Sequence, residues 1–236
     1  MIGKGKSISH GVAALEYDLA KEINGQAVAT EIARHELYGC TGAEMVQEMK
    51  PYHIDFPNVK NNCLRFEVSP SIEESATFTD ADWAELGNDF MQRMGLANHQ
   101  YIIIRHSGTE SKKEQAHLHI LANRVSLSGE LYRDNWIGKK ATEAANAIAK
   151  ERNFVQSQDI GKVNKAEIKE AMDGVLKKMQ GFDFTKFKEE LGKRGFKVRE
   201  ARASTGKLNG YYVTARSGTE SVSYTHLRAH ETRHDL

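Results

Sequence analysis

The sequence predicts an α+β sandwich in which helices flank a central antiparallel sheet. Two strongly apolar and β-prone stretches, residues 100–106 and 117–125, predict neighbouring buried strands. The polar connection between them, residues 107–116, is too short for a crossover helix, so the two strands are expected to pair antiparallel. Amphipathic helical patterns occur on both sides of these strands in the chain, and they give the sheet helices to pack against.

The chain opens with a predicted strand over residues 4–9 and a helix that begins at Gly11. Apolar residues recur at helical spacing as far as Ile23, and the Asn-Gly pair at 24–25 is expected to end the helix. Residues 27–37 form a further short element.

Two later helices carry capping signals. Thr41 followed by Glu44, and Thr79 followed by Asp82, place an N-cap hydroxyl three residues before an acidic side chain. A strand over residues 61–69 lies between these two helices. Helices and strands are thus interspersed up to the two apolar strands at the centre.

We predict a sandwich domain over residues 1–152, which includes a helix after the second apolar strand. Residues 153–221 are expected to form an appendix that begins a truncated second module. The elements predicted for this appendix are two helices followed by two strands, residues 163–179, 182–195, 196–201 and 210–214.

The tail, residues 222–236, is treated separately. Its first eleven residues, VSYTHLRAHET, resemble the translation of a transposase adapter used in DNA library preparation. We therefore expect the tail to be an artefact and the natural sequence to be truncated near Ser221. His230 and His234 have the i, i+4 spacing of a helical zinc site, but no function is assigned to them for this reason.

Composition places few limits on function. No apolar run approaches the length of a membrane span, and the N-terminus lacks the apolar core of a secretory signal, so we expect a cytoplasmic protein without membrane insertion. Cys40 and Cys63 lack metal-ligand spacing and are expected to be reduced thiols. A formal net charge of +1 neither favours nor excludes a nucleic-acid partner.

A histidine cluster is the main functional signal. His117 and His119 are two residues apart on a predicted strand, so both imidazoles point to the same face. Asn123 lies on that face too, and His106 ends the neighbouring apolar strand. A His-x-His pair on a strand also arises by chance, but a third imidazole on the adjacent strand predicts a metal site with open positions, which is typical of catalysis.

Several segments together resemble the relaxases of mobilisable plasmids and transposons, within the HUH endonucleases. His117-Leu118-His119 fits the histidine-hydrophobic-histidine pattern that names this superfamily. The other matching segments are residues 7–17, 79–95, 100–106, 117–125 and 184–198. The resemblance implies a DNA-nicking enzyme for conjugative mobilisation, with single-stranded DNA at a transfer origin as its substrate. Accessory mobilisation proteins and a coupling protein are the further partners that it implies.

The resemblance also implies a mechanism. In such enzymes a tyrosine attacks the scissile phosphate and stays joined to the 5′ end, while a divalent metal, Mg²⁺ or Mn²⁺, binds the phosphate oxygens. His106, His117 and His119 would hold this metal. Tyr17 matches the early tyrosine of the family and is the predicted nucleophile, although an amphipathic helix can carry a tyrosine for packing alone. The other candidate nucleophiles are Tyr38, Tyr52, Tyr101 and Tyr132.

Other side chains are assigned to the site with alternatives left open. Glu67 is either a base or outer partner of the site or an ordinary strand carboxylate, and Asn123 either orients a histidine or caps a turn. Basic residues are expected to contact DNA phosphates, and aromatic side chains to stack on unpaired bases. The basic residues assigned to this role are Lys4, Lys6, Arg105, Lys112, Lys113 and Arg124.

One departure from the family concerns the loop over residues 107–116. It is longer than in relatives and has Gly108 where an aspartate is expected, which affects the assignment of His106 more than that of the other histidines. Two other functions remain as alternatives: a DNA-binding module that has the same fold but does not cut, and a metal-dependent hydrolase of a small phosphoester.

Overall fold

A computed structural model describes residues 1–108, 115–203, 205–206, 208–214 and 221–224. The chain divides into two compact units, Met1–Ser157 and Gln158–Leu236. The predicted adapter-like tail falls for the most part on residues 225–236, which lie outside the described residues together with His230 and His234.

A five-stranded antiparallel sheet forms the centre of the first unit, which confirms the predicted fold class. The strands are β1 (Ile2–Ile8), β4 (Ala29–His35), β5 (Cys63–Ser69), β6 (His99–His106) and β7 (His117–Ser126). Their order across the sheet is β1-β5-β7-β6-β4, and each neighbouring pair is antiparallel. The two histidine-bearing strands are therefore direct neighbours near the middle of the sheet.

Helices cover both faces of this sheet. They are α1 (Gly11–Leu19), α2 (Gly42–Met49), the single turn α3 (Ile72–Ser75), α4 (Asp80–Arg93) and α5 (Ile137–Glu151). One core joins the sheet to α4 and α5, and it contains Phe66, Phe90 and Ile120. The other core joins the opposite face to α1 and α2, and it contains Leu15 and Ile104.

Two glycines bring α5 close to the edge strand β1. A Cβ atom at Gly3 would lie 2.5 Å from the backbone oxygen of Ala141, and one at Gly5 would lie 2.8 Å from the Phe66 ring. Contacts this short exclude any larger side chain without a shift of the helix or the ring. Gly3 and Gly5 thus let the helix pack directly on the strand backbone.

The capping signals in the sequence are confirmed. The Thr41 hydroxyl accepts from the Glu44 amide and the Glu44 carboxylate accepts from the Thr41 amide. Thr79 and Asp82 make the same reciprocal pair at the start of α4. Each box satisfies two backbone donors that a helix start would otherwise leave exposed.

The helix predicted to reach Ile23 is shorter than expected. α1 ends at Leu19, and residues after it form a two-stranded hairpin, β2 (Glu22–Ile23) with β3 (Gln26–Ala27). The Asn24-Gly25 pair takes positive φ angles of 53° and 74°, which suits the two central positions of a tight hairpin turn. The predicted break at this pair is present, but it is the turn of a hairpin rather than the end of a helix.

The second unit has its own core. It contains α6 (Ser157–Leu176), α7 (Phe184–Lys193) and the strands β8 (Lys197–Arg202), β9 (Leu208–Thr214) and β10 (Ser221–Tyr224). The strands form an antiparallel sheet in the order β10-β9-β8. Phe187 and Leu191 of α7 are fully buried with Ile168 of α6 and Val213 of β9. In the described part of the chain, no helix is long and apolar enough to cross a membrane.

Candidate metal centre

Strand pairing brings the three predicted histidines together. His106 is the register partner of His117, and His119 lies two residues further along β7 on the same face of the sheet. One ligand nitrogen from each of the three side chains lies within 4.8 Å of the other two. His106 and His117 are buried, with 2% and 7% of their surface exposed. The three imidazoles thus form one cluster on this face of the sheet.

Hydrogen bonds to backbone carbonyl groups orient two of the three rings. His106 Nε2 lies 2.7 Å from the backbone oxygen of Asp18, and His117 Nδ1 lies 3.1 Å from the backbone oxygen of Gln115. A carbonyl oxygen only accepts, so the proton of each ring sits on the bonded nitrogen. This leaves His106 Nδ1 and His117 Nε2 as unprotonated ligand atoms. The third ring, that of His119, has Nδ1 3.5 Å from the Arg65 guanidinium and Nε2 3.1 Å from His117 Nε2, so Nε2 is the atom that faces the other histidines.

The cluster favours neutral imidazoles. Burial lowers the pKa of His106, and the positive charges that His117 and Lys21 can carry lower it further. Burial also lowers the pKa of His119 to about 2, with added contributions from His106 and His117. A neutral imidazole has a free lone pair, so these histidines are ready to bind a metal at neutral pH.

Asp18 belongs to the site and was missed in the sequence. Only 2% of its surface is exposed, and its carboxylate accepts two hydrogen bonds from the Arg65 guanidinium, one of them 3.0 Å long. Asp18 Oδ1 also lies 3.9 Å from His119 Nδ1. Burial raises the pKa of Asp18, while the hydrogen bonds and charge of Arg65 oppose this rise.

A signal for Asp18 was present in the helix pattern. The buried positions of α1 are Gly11, Ala14, Leu15 and Asp18, which recur at helical spacing. An aspartate on the core-facing side of an amphipathic helix must have a buried partner, because an unpaired buried carboxylate is very costly. That partner is Arg65, on the strand next to β7.

Tyr17 lies on α1 directly before Asp18. Unlike Asp18, Tyr17 is exposed, with 57% of its surface accessible. Lys21, one turn later, donates a hydrogen bond of 2.7 Å from Nζ to the Tyr17 hydroxyl. The same ammonium lies 4.9 Å from the centroid of the Tyr17 ring. Burial is the main cause of the lowered pKa of His106 and the charge of Lys21 is the smallest, so Lys21 lies beside the phenol and within range of the histidine cluster.

The other candidate tyrosines are placed differently. Tyr101 is 7% exposed and donates its hydroxyl proton to Asn88, and burial raises its pKa. Tyr132 packs under the ammonium of Lys140. Tyr38 donates to the Glu36 carboxylate, which raises the pKa of the phenol. Tyr52 lies in a 3-10 turn over Lys50–His53. Tyr17 is the candidate on the helix that contributes Asp18 to the cluster.

A basic cleft lies beside His119. Glu67 is the register partner of both Lys4 and His119, and its carboxylate accepts a 3.0 Å hydrogen bond from Lys4 Nζ. Lys6 and Arg65 also line this cleft, which has a volume of about 210 Å³. Glu67 thus lies on the face of the sheet that carries the histidines, next to His119, and its carboxylate is paired with Lys4.

Asn123 does not lie in the shell around the histidine cluster. Its side chain bonds to His53 Nε2 at 2.6 Å and to Gln100 Oε1 at 3.0 Å, and it accepts from the Val125 amide. None of its surface is exposed. Of the two roles expected for Asn123, the orientation of a histidine is therefore corrected, because four residues along a strand carry Asn123 towards the opposite end of the sheet from His119.

The basic residues assigned to DNA contact are not all together. Lys4 and Lys6 border the cleft. Arg105 forms an ion pair with Asp80, and Arg124 one with Asp134, and both arginines lie on the sheet face opposite the histidines. Each arginine thus stabilises the packing of its strand against a neighbouring segment. Lys112 and Lys113 lie outside the described residues, as does most of the loop that carries Gly108.

More than half of the chain matches the model of a known protein family. Residues 17–154 match the family model for the relaxase MobA/VirD2-like nuclease domain. Among solved structures, the conjugative relaxase TrwC in its metal-bound complex with oriT DNA has 11% identity and a TM-score of 0.39, covering 88% of this chain and 74% of that one. A copper-bound structure of the same complex has 13% identity and a TM-score of 0.36, covering 88% and 75%. No curated protein sequence matched the chain.

Proposed function

Because this chain belongs to the family of relaxases with a MobA/VirD2-like nuclease domain, we propose that it nicks one DNA strand at a transfer origin through Tyr17. The observation that carries the proposal is the position of Tyr17 on α1. The next residue, Asp18, accepts a hydrogen bond from His106 through its backbone and lies near His119 through its carboxylate. One helix therefore links the candidate nucleophile to the candidate metal ligands.

The three imidazoles fit a divalent cation. His106 Nδ1, His117 Nε2 and His119 Nε2 would hold it, and three nitrogen ligands leave positions open for phosphate oxygens and water. When bound, such an ion supplies positive charge to the non-bridging oxygens of the scissile phosphate. Mg²⁺ or Mn²⁺ is the proposed ion, by resemblance to the family.

The phenolic oxygen of Tyr17 attacks the scissile phosphorus in line with the departing 3′ oxygen. A Tyr17 oxygen–phosphorus bond forms as the phosphorus–3′ oxygen bond breaks. The phenolic proton is released, and the 3′ oxygen takes up a proton to leave as a hydroxyl. The phosphoester is exchanged rather than hydrolysed, so a free 3′ hydroxyl can later attack the tyrosyl phosphate and rejoin the strand.

Charged side chains on the same face assist this exchange. The ammonium of Lys21 donates to the Tyr17 oxygen, and a positive charge there stabilises the negative charge that this oxygen carries when it attacks or leaves. Lys4 and Lys6 line the cleft beside His119, where they are placed to contact the phosphates that flank the scissile one. These lysines would hold the backbone of the proposed single-stranded DNA substrate.

The biological role that we propose is mobilisation of a plasmid or transposon by conjugation, in the cytoplasm. Accessory mobilisation proteins and a coupling protein would deliver the covalent protein–DNA product for transfer. A covalent 5′ phosphotyrosyl link suits this role because it keeps the end of the strand attached while the strand moves.

The test is a denaturing gel of the protein with Mn²⁺ and single-stranded oligonucleotides tiled across the region upstream of its gene. We expect a slowly migrating adduct that requires metal, is absent with Tyr17→Phe and is lost when His117 and His119 are replaced by alanine. An adduct that persists in Tyr17→Phe would move the nucleophile to another tyrosine.

Measurements of DNA binding and of phosphodiester hydrolysis, made beside the gel, separate the alternatives. DNA binding with no adduct on any oligonucleotide would favour a binding module that does not cut. Metal-dependent hydrolysis of a small phosphodiester such as bis(p-nitrophenyl) phosphate, unaffected by Tyr17→Phe, would favour the hydrolase.

A further inference from the structure

The two units of the chain differ in the sign of their charge. Residues 1–157 contain seventeen Lys and Arg residues against twenty-one Asp and Glu residues. Residues 158–221, the second unit without the adapter-like tail, contain fourteen against nine. The unit that holds the histidine cluster is therefore net acidic and the second unit net basic. Because cations that neutralise phosphates supply much of the affinity for DNA, the second unit has the charge that suits a DNA contact.

The small sheet of the second unit has two different faces. α6 and α7 pack on one of them, where Val198 of β8 and its register partner Val213 of β9 are buried in the core of the unit. Side chains alternate along a strand, so the residues on either side of these valines point to the opposite face. We call this opposite face of β8 and β9 the outer face. Its members next to the valines are the register pairs Lys197–Thr214 and Arg199–Tyr212.

The outer face carries positive charge that no neighbouring carboxylate neutralises. Lys197 and Arg199 are both exposed, and no carboxylate of the described residues forms an ion pair with either of them. Neither β8 nor β9 places an acidic side chain on this face, because the one acidic residue of the two strands, Glu200, lies on the same face as Val198. Glu200 is also paired already, with Arg202 at 2.6 Å. Both cations of the outer face are thus available to an anion from outside the unit.

Tyr212 orients the Arg199 guanidinium on the outer face. The guanidinium carbon of Arg199 lies 4.6 Å from the centroid of the half-buried Tyr212 ring. The ring attracts the cation through its π electrons, but it does not cancel the charge as a carboxylate would. A guanidinium has five N–H donors in a planar fork that matches the oxygens of a phosphate. Arg199 is therefore held in place with its charge and its donors free.

We propose that Lys197 and Arg199 form a second DNA-binding surface, on which the outer face of the small sheet holds the phosphate backbone of the substrate. This inference rests on the proposed function, since it assigns a further contact to the same DNA. Cations that bind phosphates position the nucleic acid without reading its bases, so the surface supplies affinity and no sequence preference. The phosphates belong either to the single strand that is cut or to the duplex beside it, because both have the same backbone chemistry.

Two double variants of the full chain, which lose the same charge from the second unit, provide the test. Lys197→Gln/Arg199→Gln removes both cations of the outer face. Lys162→Gln/Lys193→Gln is the matched control, because these two exposed lysines are already paired with acidic side chains of their own helices. All four side chains are exposed, so the melting temperature of each double variant should stay close to that of the wild type.

Fluorescence anisotropy of a labelled, mixed-sequence single strand in EDTA measures DNA affinity without the metal. Each phosphate contact adds about 0.7 to the slope with which log affinity falls against log salt concentration. We therefore expect Lys197→Gln/Arg199→Gln to reduce this slope by about 1.4 and the affinity by about 10-fold at about 0.15 M salt, while the control double variant matches the wild type. The same loss with a duplex of that sequence would assign the surface to duplex DNA as well. Wild-type affinity of Lys197→Gln/Arg199→Gln for both DNAs, or an equal loss in the control, would overturn the proposal.

Failure of this inference and failure of the proposed function give different results. If the Tyr17 adduct forms but Lys197→Gln/Arg199→Gln binds DNA like the wild type, the second surface is wrong and the nicking function stands. If this double variant alone loses DNA affinity but no adduct forms on any oligonucleotide, the second surface stands and the nicking function is wrong. Where both are right, the double variant should form the adduct at the wild-type rate once DNA is saturating, because the surface contributes to binding and not to the exchange.

Discussion

His106 Nε2 lies 2.7 Å from the backbone carbonyl oxygen of Asp18, the residue that follows Tyr17. A hydrogen bond to the backbone does not depend on the Asp18 side chain, so it ties the position of the helix itself to that of the ring. The Asp18 carboxylate then reaches Arg65 and approaches His119. A displacement of α1 would therefore disturb the candidate nucleophile and two of the three candidate ligands together.

Asp18→Asn separates the contribution of the Asp18 backbone carbonyl from that of the Asp18 carboxylate. The backbone bond to His106 remains, but the charge that faces Arg65 and His119 is lost. Outer partners of metal-bound histidines typically contribute 10- to 100-fold to affinity, and we expect Mn²⁺ affinity to fall by about this factor in a calorimetric titration. Asp89→Asn, which removes a surface partner of Arg93, is the control and should leave affinity unchanged. Equal Mn²⁺ affinity in both variants would contradict a role for Asp18 at the metal centre.

Stability of the metal-free protein should depend on pH through the histidine cluster. The pKa values of His106 and His119 are lowered in the folded state, so below about pH 6.5 the unfolded chain binds more protons at these positions than the folded one. Stability is therefore complete above about pH 6.5 and falls as the pH drops below it. For His119 the loss is about 1.4 kcal/mol per pH unit, which urea denaturation in EDTA would measure.

The matched variant for this pH effect is His119→Gln. It removes one titrating group, so its free energy of unfolding should fall less steeply than that of the wild type between pH 6.5 and pH 5. A slope identical to that of the wild type would mean that His119 does not titrate between the folded and unfolded states in this range.

The histidine cluster could be predicted from the sequence because strand periodicity is a local property. His117 and His119 had to share a face, and a short connection had to make the His106 strand their neighbour. The exact pairing of His106 with His117 follows from the register, which depends on the whole sheet. Capping boxes were equally local, since each depends on two residues three positions apart.

Contacts between residues that are far apart in the chain could not be predicted from the sequence. The pairing of Asp18 with Arg65 depends on α1 packing over β5, and nothing in either segment alone specifies the other. The same limit explains Arg105 and Arg124, which looked available for DNA but are held by Asp80 and Asp134. Basic side chains cannot be assigned to a surface until the acidic groups around them are known.

The prediction that Asn123 orients a histidine failed for a different reason. It placed Asn123 on the correct face of the sheet but did not consider how far Asn123 lies from His119 along β7. Asn123 lies on the histidine face, yet its amide forms the centre of a buried network with His53 and Gln100. We predict that Asn123→Leu lowers the free energy of unfolding by about 2–4 kcal/mol, since it leaves buried polar partners unsatisfied. Thermal and urea denaturation would measure this change.

The Mn²⁺ affinity of folded Asn123→Leu should equal that of the wild type, which distinguishes a structural asparagine from one that orients a ligand. A loss of metal affinity greater than the loss of folded protein would instead show that Asn123 orients a ligand histidine.

Three imidazole donors should bind Mn²⁺ more tightly than Mg²⁺. Nitrogen ligands suit transition metals, whereas Mg²⁺ prefers oxygen. We expect Mn²⁺ to support adduct formation at a lower concentration than Mg²⁺. His106→Ala should weaken binding of both ions because one of the three ligands is lost. Half-maximal activation at the same concentration of the two ions would argue against an all-imidazole site.

Lys21 offers the sharpest test of the nucleophile assignment, because its ammonium donates to the Tyr17 oxygen at 2.7 Å. Lys21→Met keeps the length of the side chain and removes the charge, so we expect the adduct to form about 10- to 100-fold more slowly at saturating DNA. This is less than the full effect of an oxyanion donor, since water reaches a half-exposed phenol. Lys21→Arg should recover part of the rate, and single-stranded DNA affinity should change much less than the rate. If Lys21→Met weakened DNA binding and left the rate of the bound complex unchanged, Lys21 would be a phosphate contact and the phenol would not depend on it.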